Sequence, residues 1–347
     1  MKSHDVRKLY DQMKSSSNPN NTQHFIEKAR RRNANPSLFQ SLQENTRDVK
    51  EISILPTLDV KEISVLPTPN VGEISVSTIH ATTGGKVDLK DVTFIIPIKI
   101  DSKDRLENFH TTFDYLTQNL DTNIIIYESD SKSQIGDKLN GKATYIFEKN
   151  DGPIFHRTRY LNYMLNMVKT PVTVNYDIDV LLPIDSYTTA RDRIIKDEIE
   201  LVYPYCYGNC QNRVNYNGRN SVKNGKSLEN LENSDFEQKS FLSWYGHCQF
   251  FNTDAYKKYG WENEYFISYG PEDLERYHRF VKLDRKVEHL DKRIVYHLEH
   301  ERGNNSSKEN PYFYQNDRLY NVLQSFTKTQ LTDYYNSVGY TSKYVTP

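Results

Sequence analysis

Cysteine is scarce in this chain: there are three, Cys206, Cys210 and Cys248, in 347 residues. Three thiols cannot build a disulfide framework, and Cys206 and Cys210 lack the second pair that a structural zinc site needs, so both read as reduced thiols. An excess of charge of either sign is also missing. Lys and Arg total 45 against 46 Asp and Glu, a net charge of −1, and no basic block is longer than KARRR at 28–32, which reads as a solvated helix face. There is accordingly no electrostatic case for nucleic acid. No apolar run approaches the roughly 20 residues that span a bilayer, and the N-terminus, MKSHDVRKLYDQMKSSSNPNN, has no hydrophobic segment for a secretion signal. The expectation is a soluble, cytoplasmic protein without a transmembrane segment.

What is present divides unevenly. Residues 1–47 are polar, with two short helical patterns around SSSNPNN, and bury too little apolar surface to offset their ordering entropy. Residues 48–80 hold three 11-residue repeats, DVKEISILPTL, DVKEISVLPTP and NVGEISVSTIH, each with a short alternating run and the first two closed by a proline. They read as a spacer or a docking element for a partner. From 88 to 335 the texture is α/β. VTFIIPIKI (92–100) is a buried strand, DRLENFHTTFDYLTQNL (104–120) spaces Leu106, Phe109, Phe113 and Leu116 as a helix does, and TNIIIYESD (122–130) is a second strand. Strand, helix and strand at that spacing form a βαβ unit with a right-handed crossover, which predicts a mostly parallel, Rossmann-like sheet with flanking helices. Ligands of such sheets bind beyond the carboxyl ends of the strands.

VNYDIDVLLP (174–183) places Asp177 and Asp179 in an otherwise apolar run read as a buried strand ending at that edge. Residues two apart on a strand share a face, so the two carboxylates repel unless a cation or sugar hydroxyls lie between them. A hard divalent ion takes carboxylate and diphosphate oxygens together. Read alone, D-x-D fits solvated acids equally well. A second acidic pair, Glu272 and Asp273, opens the helical stretch PEDLERYHRFVKL, where Pro271 and acids near the positive helix end are also ordinary capping.

Four segments keep a common order: FHRTRYLN (155–162), D-I-D, YFISYGPEDLE (265–275) and HLEHERGNNSSKENP (297–311). Together they resemble the beta-1,4-galactosyltransferase family, inverting glycosyltransferases of GT-A fold, over about residues 90–325. That resemblance makes 88–335 a GT-A (nucleotide-diphospho-sugar transferase) catalytic domain. It implies Asp179 and His300 as metal ligands, with His297 where the animal enzymes carry a methionine. Imidazole in place of thioether suits Mn²⁺ at least as well; Mg²⁺ is the other candidate. By the same resemblance Asp177 lies near the donor sugar and ribose, Arg157 reaches the nucleotide or its diphosphate, Tyr269 stands in for a tryptophan of the W-G-W-G segment, and Gly246 in SWYGHCQFFN lets the backbone approach the donor. Glu128 in YESDS (127–131) falls on an acidic turn that contacts uracil in related enzymes. Asp273 matches the general base, with Glu272 binding hydroxyls beside it. The expected reaction moves a sugar of galactose, N-acetylgalactosamine or glucose type from UDP to a glycan or other hydroxyl acceptor. A retaining transferase of the same fold and a non-catalytic sugar- or nucleotide-binding module remain as alternatives.

Overall fold

The computed structural model describes residues 74–77 and 85–344. The polar segment 1–47 and the first two repeats lie outside the described residues. Strand β1 (Ile74–Ser77) belongs to the third repeat. It is followed by β2 (Val87–Ile98), α1 (Lys103–Asn119), β3 (Leu120–Asp130), β4 (Thr144–Lys149), α2 (Arg157–Met167), β5 (Val172–Tyr176), β6 (Val180–Leu181) and α3 (Ile184–Asp197). Then come β7 (Leu201–Tyr203), β8 (Gly208–Val214), α4 (Tyr216–Lys223), β9 (Phe236–Ser243), β10 (Cys248–Asn252), α5 (Thr253–Lys258) and α6 (Glu272–Lys282). β11 (Val287–His289), β12 (Val295–Leu298), α7 (Phe313–Ser325) and α8 (Lys328–Ser337) complete the order.

The α/β class expected from the sequence is what the structure shows. An eight-stranded sheet runs β1-β4-β3-β2-β5-β10-β7-β11. Its core β4-β3-β2-β5 is parallel, β10 runs antiparallel between β5 and β7, and β11 returns parallel to β7. The unbroken apolar run of β2, buried from Val92 to Ile98, is what a central strand covered on both faces requires. Between β2 and β3, α1 starts at Ser102, whose hydroxyl accepts from the Arg105 N–H at 3.1 Å, and buries Phe109, Phe113 and Leu116. A second sheet, β6-β12-β8-β9, has its own small apolar cluster of Leu181, Val214, Val222, Leu228, Leu231, Tyr296 and Leu298.

Two local expectations are corrected. VNYDIDVLLP is not one strand: pairing of β5 stops at Tyr176, and Asp177 to Asp179 form a turn, with the Val180 N–H donating to the Asp177 carbonyl at 3.3 Å, before β6 joins the second sheet. Strand alternation therefore does not set the directions of the two acids. The cysteines differ too. Cys206 and Cys210, with Cα atoms 5.6 Å apart, form a disulfide across the β7–β8 connection, where Gly208 takes the positive φ (103°) that favours glycine. The reading as reduced thiols falls, and with it the cysteine argument for a cytoplasmic setting. Cys248 stays free and buried.

A ring of five residues restricts the unfolded chain modestly, by about 2 kcal/mol in the loop-entropy account. Reductant is therefore expected to lower the calorimetric melting temperature by roughly 4–8 °C for a domain of this size. An unchanged melt with and without reductant, with thiol titration confirming cleavage, would refute that. Among the described residues no helix is long and apolar enough to cross a membrane.

Candidate active site and metal centre

Strand register assembles one half of the site. β12 pairs with β6 so that His297 lies opposite Val180, and the Leu298 N–H donates to the Asp179 carbonyl at 2.7 Å. That pairing seats the β12 end against the turn after β5. Asp179 Oδ2 then lies 3.0 Å from His300 Nε2, and Asp179 Oδ1 3.9 Å from His297 Nε2. One ligand atom from each of Asp179, His297 and His300 falls within 4.8 Å of the others. His300 Nδ1 lies 2.6 Å from the Glu301 carbonyl, so both ring nitrogens face acceptors, and an ion bound at Nε2 would take the place of the proton shared with Asp179. A carboxylate and two imidazoles at this spacing are a donor set that suits Mn²⁺ and related borderline cations.

A guanidinium also approaches the cluster, from outside the motifs read in the sequence. Arg105, in the first turn of α1, reaches Asp179 Oδ2 at 3.3 Å and His300 Nδ1 at 3.4 Å while its Nε holds Asp101 at 3.0 Å. Burial alone would raise the Asp179 carboxyl, but the His300 hydrogen bond, His297 and Arg105 override it and hold the acid well below the usual carboxylate range. For His300, burial favours the neutral ring; Asp179 reverses this and raises it.

Asp177 turns the other way. Its N–H donates to the His247 carbonyl at 2.9 Å, and its carboxylate receives Arg157 Nη2 at 2.5 Å. Arg157, the first residue of α2, also lies 3.8 Å from Glu272 Oε1 through Nε. The acid of the turn and the acidic pair that opens α6 are thus joined by one guanidinium. The Asp273 Oδ1 accepts from the Leu274 N–H at 2.8 Å, whereas Glu272 Oε2 is buried with no hydrogen-bond partner among the described residues. Burial, with the neighbouring Asp273 charge added, pushes Glu272 up to about 8. Asp273 is also raised, by burial first, against the pull of Arg276. The proton of the pair therefore rests on Glu272 at neutral pH and the charge on Asp273, which has the backbone donor.

Gly246 lies against this pair: a Cβ there would sit 3.0 Å from Asp273 Oδ2. Its carbonyl accepts from the Tyr205 hydroxyl. His247 follows with a positive φ of 68°, a conformation that costs a non-glycine residue energy and recurs at functional sites. Burial and the neighbouring His297 bring His247 down to about 4, so it is a neutral ring, 5.8 Å from that of His297. Tyr269 stacks on Phe313 at 6.1 Å between centroids, and its carbonyl accepts from the Asn316 amide at 3.0 Å. Glu128 is not brought to this group. It is fully buried at the end of β3, with its carboxylate taken up by the Tyr145 hydroxyl and, at 2.9 Å, by the Gln134 N–H.

No protein-family model and no curated protein sequence matches this chain. Solved structures do. GalNAc-T7 with UDP, GalNAc and Mn²⁺ is similar at a TM-score of 0.45 and 12% identity, over 74% of this chain and 52% of that one. TarS 1–349 from S. aureus, in complex with UDP-GlcNAc, is similar at 0.44 and 12%, over 71% of each. The catalytic domain of Drosophila beta1,4galactosyltransferase 7, in complex with xylobiose, is similar at 0.34 and 11%, over 58% of this chain and 65% of that one.

Proposed function

We propose that this chain is a divalent-metal-dependent, inverting glycosyltransferase that uses a UDP-sugar donor and a glycan or other hydroxyl acceptor. The observation that carries this reading is the bridge Asp177–Arg157–Glu272, which puts the Asp179–His297–His300 cluster and the Glu272–Asp273 pair at the same end of the fold. A metal at one side of a sugar and a base at the other is what direct displacement at an anomeric carbon needs. The four-segment motif order supports the UDP-sugar class.

In the proposed reaction the acceptor oxygen attacks the anomeric carbon while the bond from that carbon to UDP breaks. The bonding electrons leave with UDP, and the acceptor proton passes to Asp273. Glu272, protonated, donates a hydrogen bond to a sugar hydroxyl or oxygen, and its unpartnered Oε2 is free to accept one. Arg157 holds Asp177 and Glu272 in register and adds positive charge on the donor side. Mn²⁺ at Asp179, His297 and His300 would neutralise charge on the diphosphate.

The test is UDP release from a panel of UDP-sugars with Mn²⁺, with and without simple glycan acceptors, followed by NMR of the product. One donor should stand out, and the product should carry the opposite anomeric configuration. A retained configuration removes Asp273 from its role and supports a retaining transferase. Tight UDP binding with no release from any sugar marks a binding module.

A further inference from the structure

Each of the two histidines beside Asp179 has its outer nitrogen facing an acceptor. His300 uses the Glu301 carbonyl. For His297 that acceptor is the side chain of Glu299, a residue of the HLEHERGNNSSKENP segment to which the sequence reading assigns no role. We infer that Glu299, clamped by Arg213, is a positioning residue that keeps the proton of His297 on Nδ1 and so leaves the lone pair of Nε2 for an ion shared with Asp179. This rests on reading Asp179, His297 and His300 as a metal centre.

The geometry comes from the second sheet. β12 runs parallel to β8 with His297 opposite Arg213 and Leu298 opposite Val214, and the Glu299 N–H continues the ladder to the Val214 carbonyl at 2.9 Å. Residues two apart on an extended chain share a face, so His297 and Glu299 stand side by side, with Arg213 next to them. His297 Nδ1 is buried with no hydrogen-bond partner within bonding geometry among the described residues, and the acceptor facing it is Glu299 Oε1 at 3.5 Å. The Arg213 fork takes both carboxylate oxygens, Nε to Oε1 and Nη2 to Oε2, each at 2.7 Å. A bidentate fork fixes the plane of a carboxylate, which a lysine in the same place does not. Carboxylates that hold the second nitrogen of a ligating histidine set its tautomer and raise its basicity, and their loss typically costs 10–100-fold in metal affinity.

Two measurements test this, one of which needs no metal. In ¹⁵N-histidine NMR of the metal-free protein, the His297 signal, assigned by its absence in His297→Ala, should show the Nδ1–H tautomer. In Glu299→Gln it should become mixed or shift to Nε2–H. Titration of Mn²⁺, followed by the EPR signal of the free ion, should show affinity roughly 10–100-fold weaker in Glu299→Gln and a smaller loss in Arg213→Lys. The double variant His297→Ala/Glu299→Gln should bind no more weakly than His297→Ala alone, because Glu299 acts through His297. Thermal melts of each variant keep loss of fold apart from loss of affinity.

An unchanged tautomer with wild-type Mn²⁺ affinity in Glu299→Gln overturns the inference. So does a loss that persists in full when His297 is absent. A separate result, wild-type protein binding Mn²⁺ no better than His297→Ala, overturns the metal-centre reading, and the tautomer spectrum then decides the role of Glu299 alone.

Discussion

Replacing Asp273 by asparagine is expected to lower turnover by roughly 10²–10⁴, the usual contribution of a positioned general base, while UDP-sugar affinity changes only a few-fold. Asparagine keeps the size of the side chain and an oxygen for the Leu274 N–H, but it cannot take the acceptor proton. Glu272→Gln is the matched comparison. It leaves a group that can still donate a hydrogen bond, so its main effect should be on the acceptor KM, with a smaller fall in kcat.

The pH dependence separates the pair further. In the wild type burial raises both acids, and the Asp273 charge adds to it at Glu272, which reaches about 8. The base is the ionised form, so kcat/KM rises with pH on the acid side, along a limb displaced upward from the ordinary range of an aspartate. Glu272 is already neutral along that limb, so Glu272→Gln should leave its position unchanged. Asp273→Asn retaining near-normal turnover while Glu272→Gln abolishes it would assign the base to Glu272 instead. Full activity in both variants leaves the pair as a helix start and ends the proposed chemistry.

The second large effect is expected at Asp179. Asp179→Ala should reduce Mn²⁺-dependent turnover by roughly 10³-fold or more, because several kcal/mol of charge stabilisation on the leaving diphosphate depend on the ion. Excess chelator should do the same to the wild type, with recovery on adding Mn²⁺; full activity in chelator removes the metal from the reaction. The structure also alters what this substitution does to stability. Read from sequence, Asp177 and Asp179 are a repulsive pair whose relief should cost little. In the structure Arg157 answers Asp177, whereas Asp179 is buried between His300 and Arg105. Its removal takes the Nε2 acceptor from a buried ring and leaves the guanidinium with Asp101, at a cost of about 1–3 kcal/mol. Asp179→Asn, which keeps one acceptor oxygen, separates the metal effect from this structural one when metal affinity and thermal melts are compared.

How much of this could be read from the sequence follows from the range over which each signal acts. The β2–α1–β3 unit was legible because its apolar runs and its helical spacing of Phe109, Phe113 and Leu116 are local patterns. The start of α6 at Glu272 was legible for the same reason, from Pro271 and the acids after it. The turn at Asp177 to Asp179 was not, because nothing within VNYDIDVLLP says that ladder pairing ends at Tyr176; that is decided by where β10 and β12 lie. Arg105 and Arg213 are not legible as site residues because Asp179 and Glu299 lie 74 and 86 residues away from them in the chain. The Cys206–Cys210 pair is the reverse case. Their spacing is visible in the sequence, but four residues apart suits two free thiols as well as a single short ring.

The strand at Ile74–Ser77 bears on solubility. It pairs antiparallel with β4 from Tyr145 to Glu148 and forms the outermost strand on that side of the sheet. A chain begun after Ser77 leaves the β4 ladder with open N–H and C=O groups, the ordinary template for edge-to-edge association. A shortened catalytic chain therefore has its natural beginning upstream of Ile74, within the third repeat. Self-association of a version that starts at residue 81 would then report a bare sheet margin, with the catalytic groups untouched.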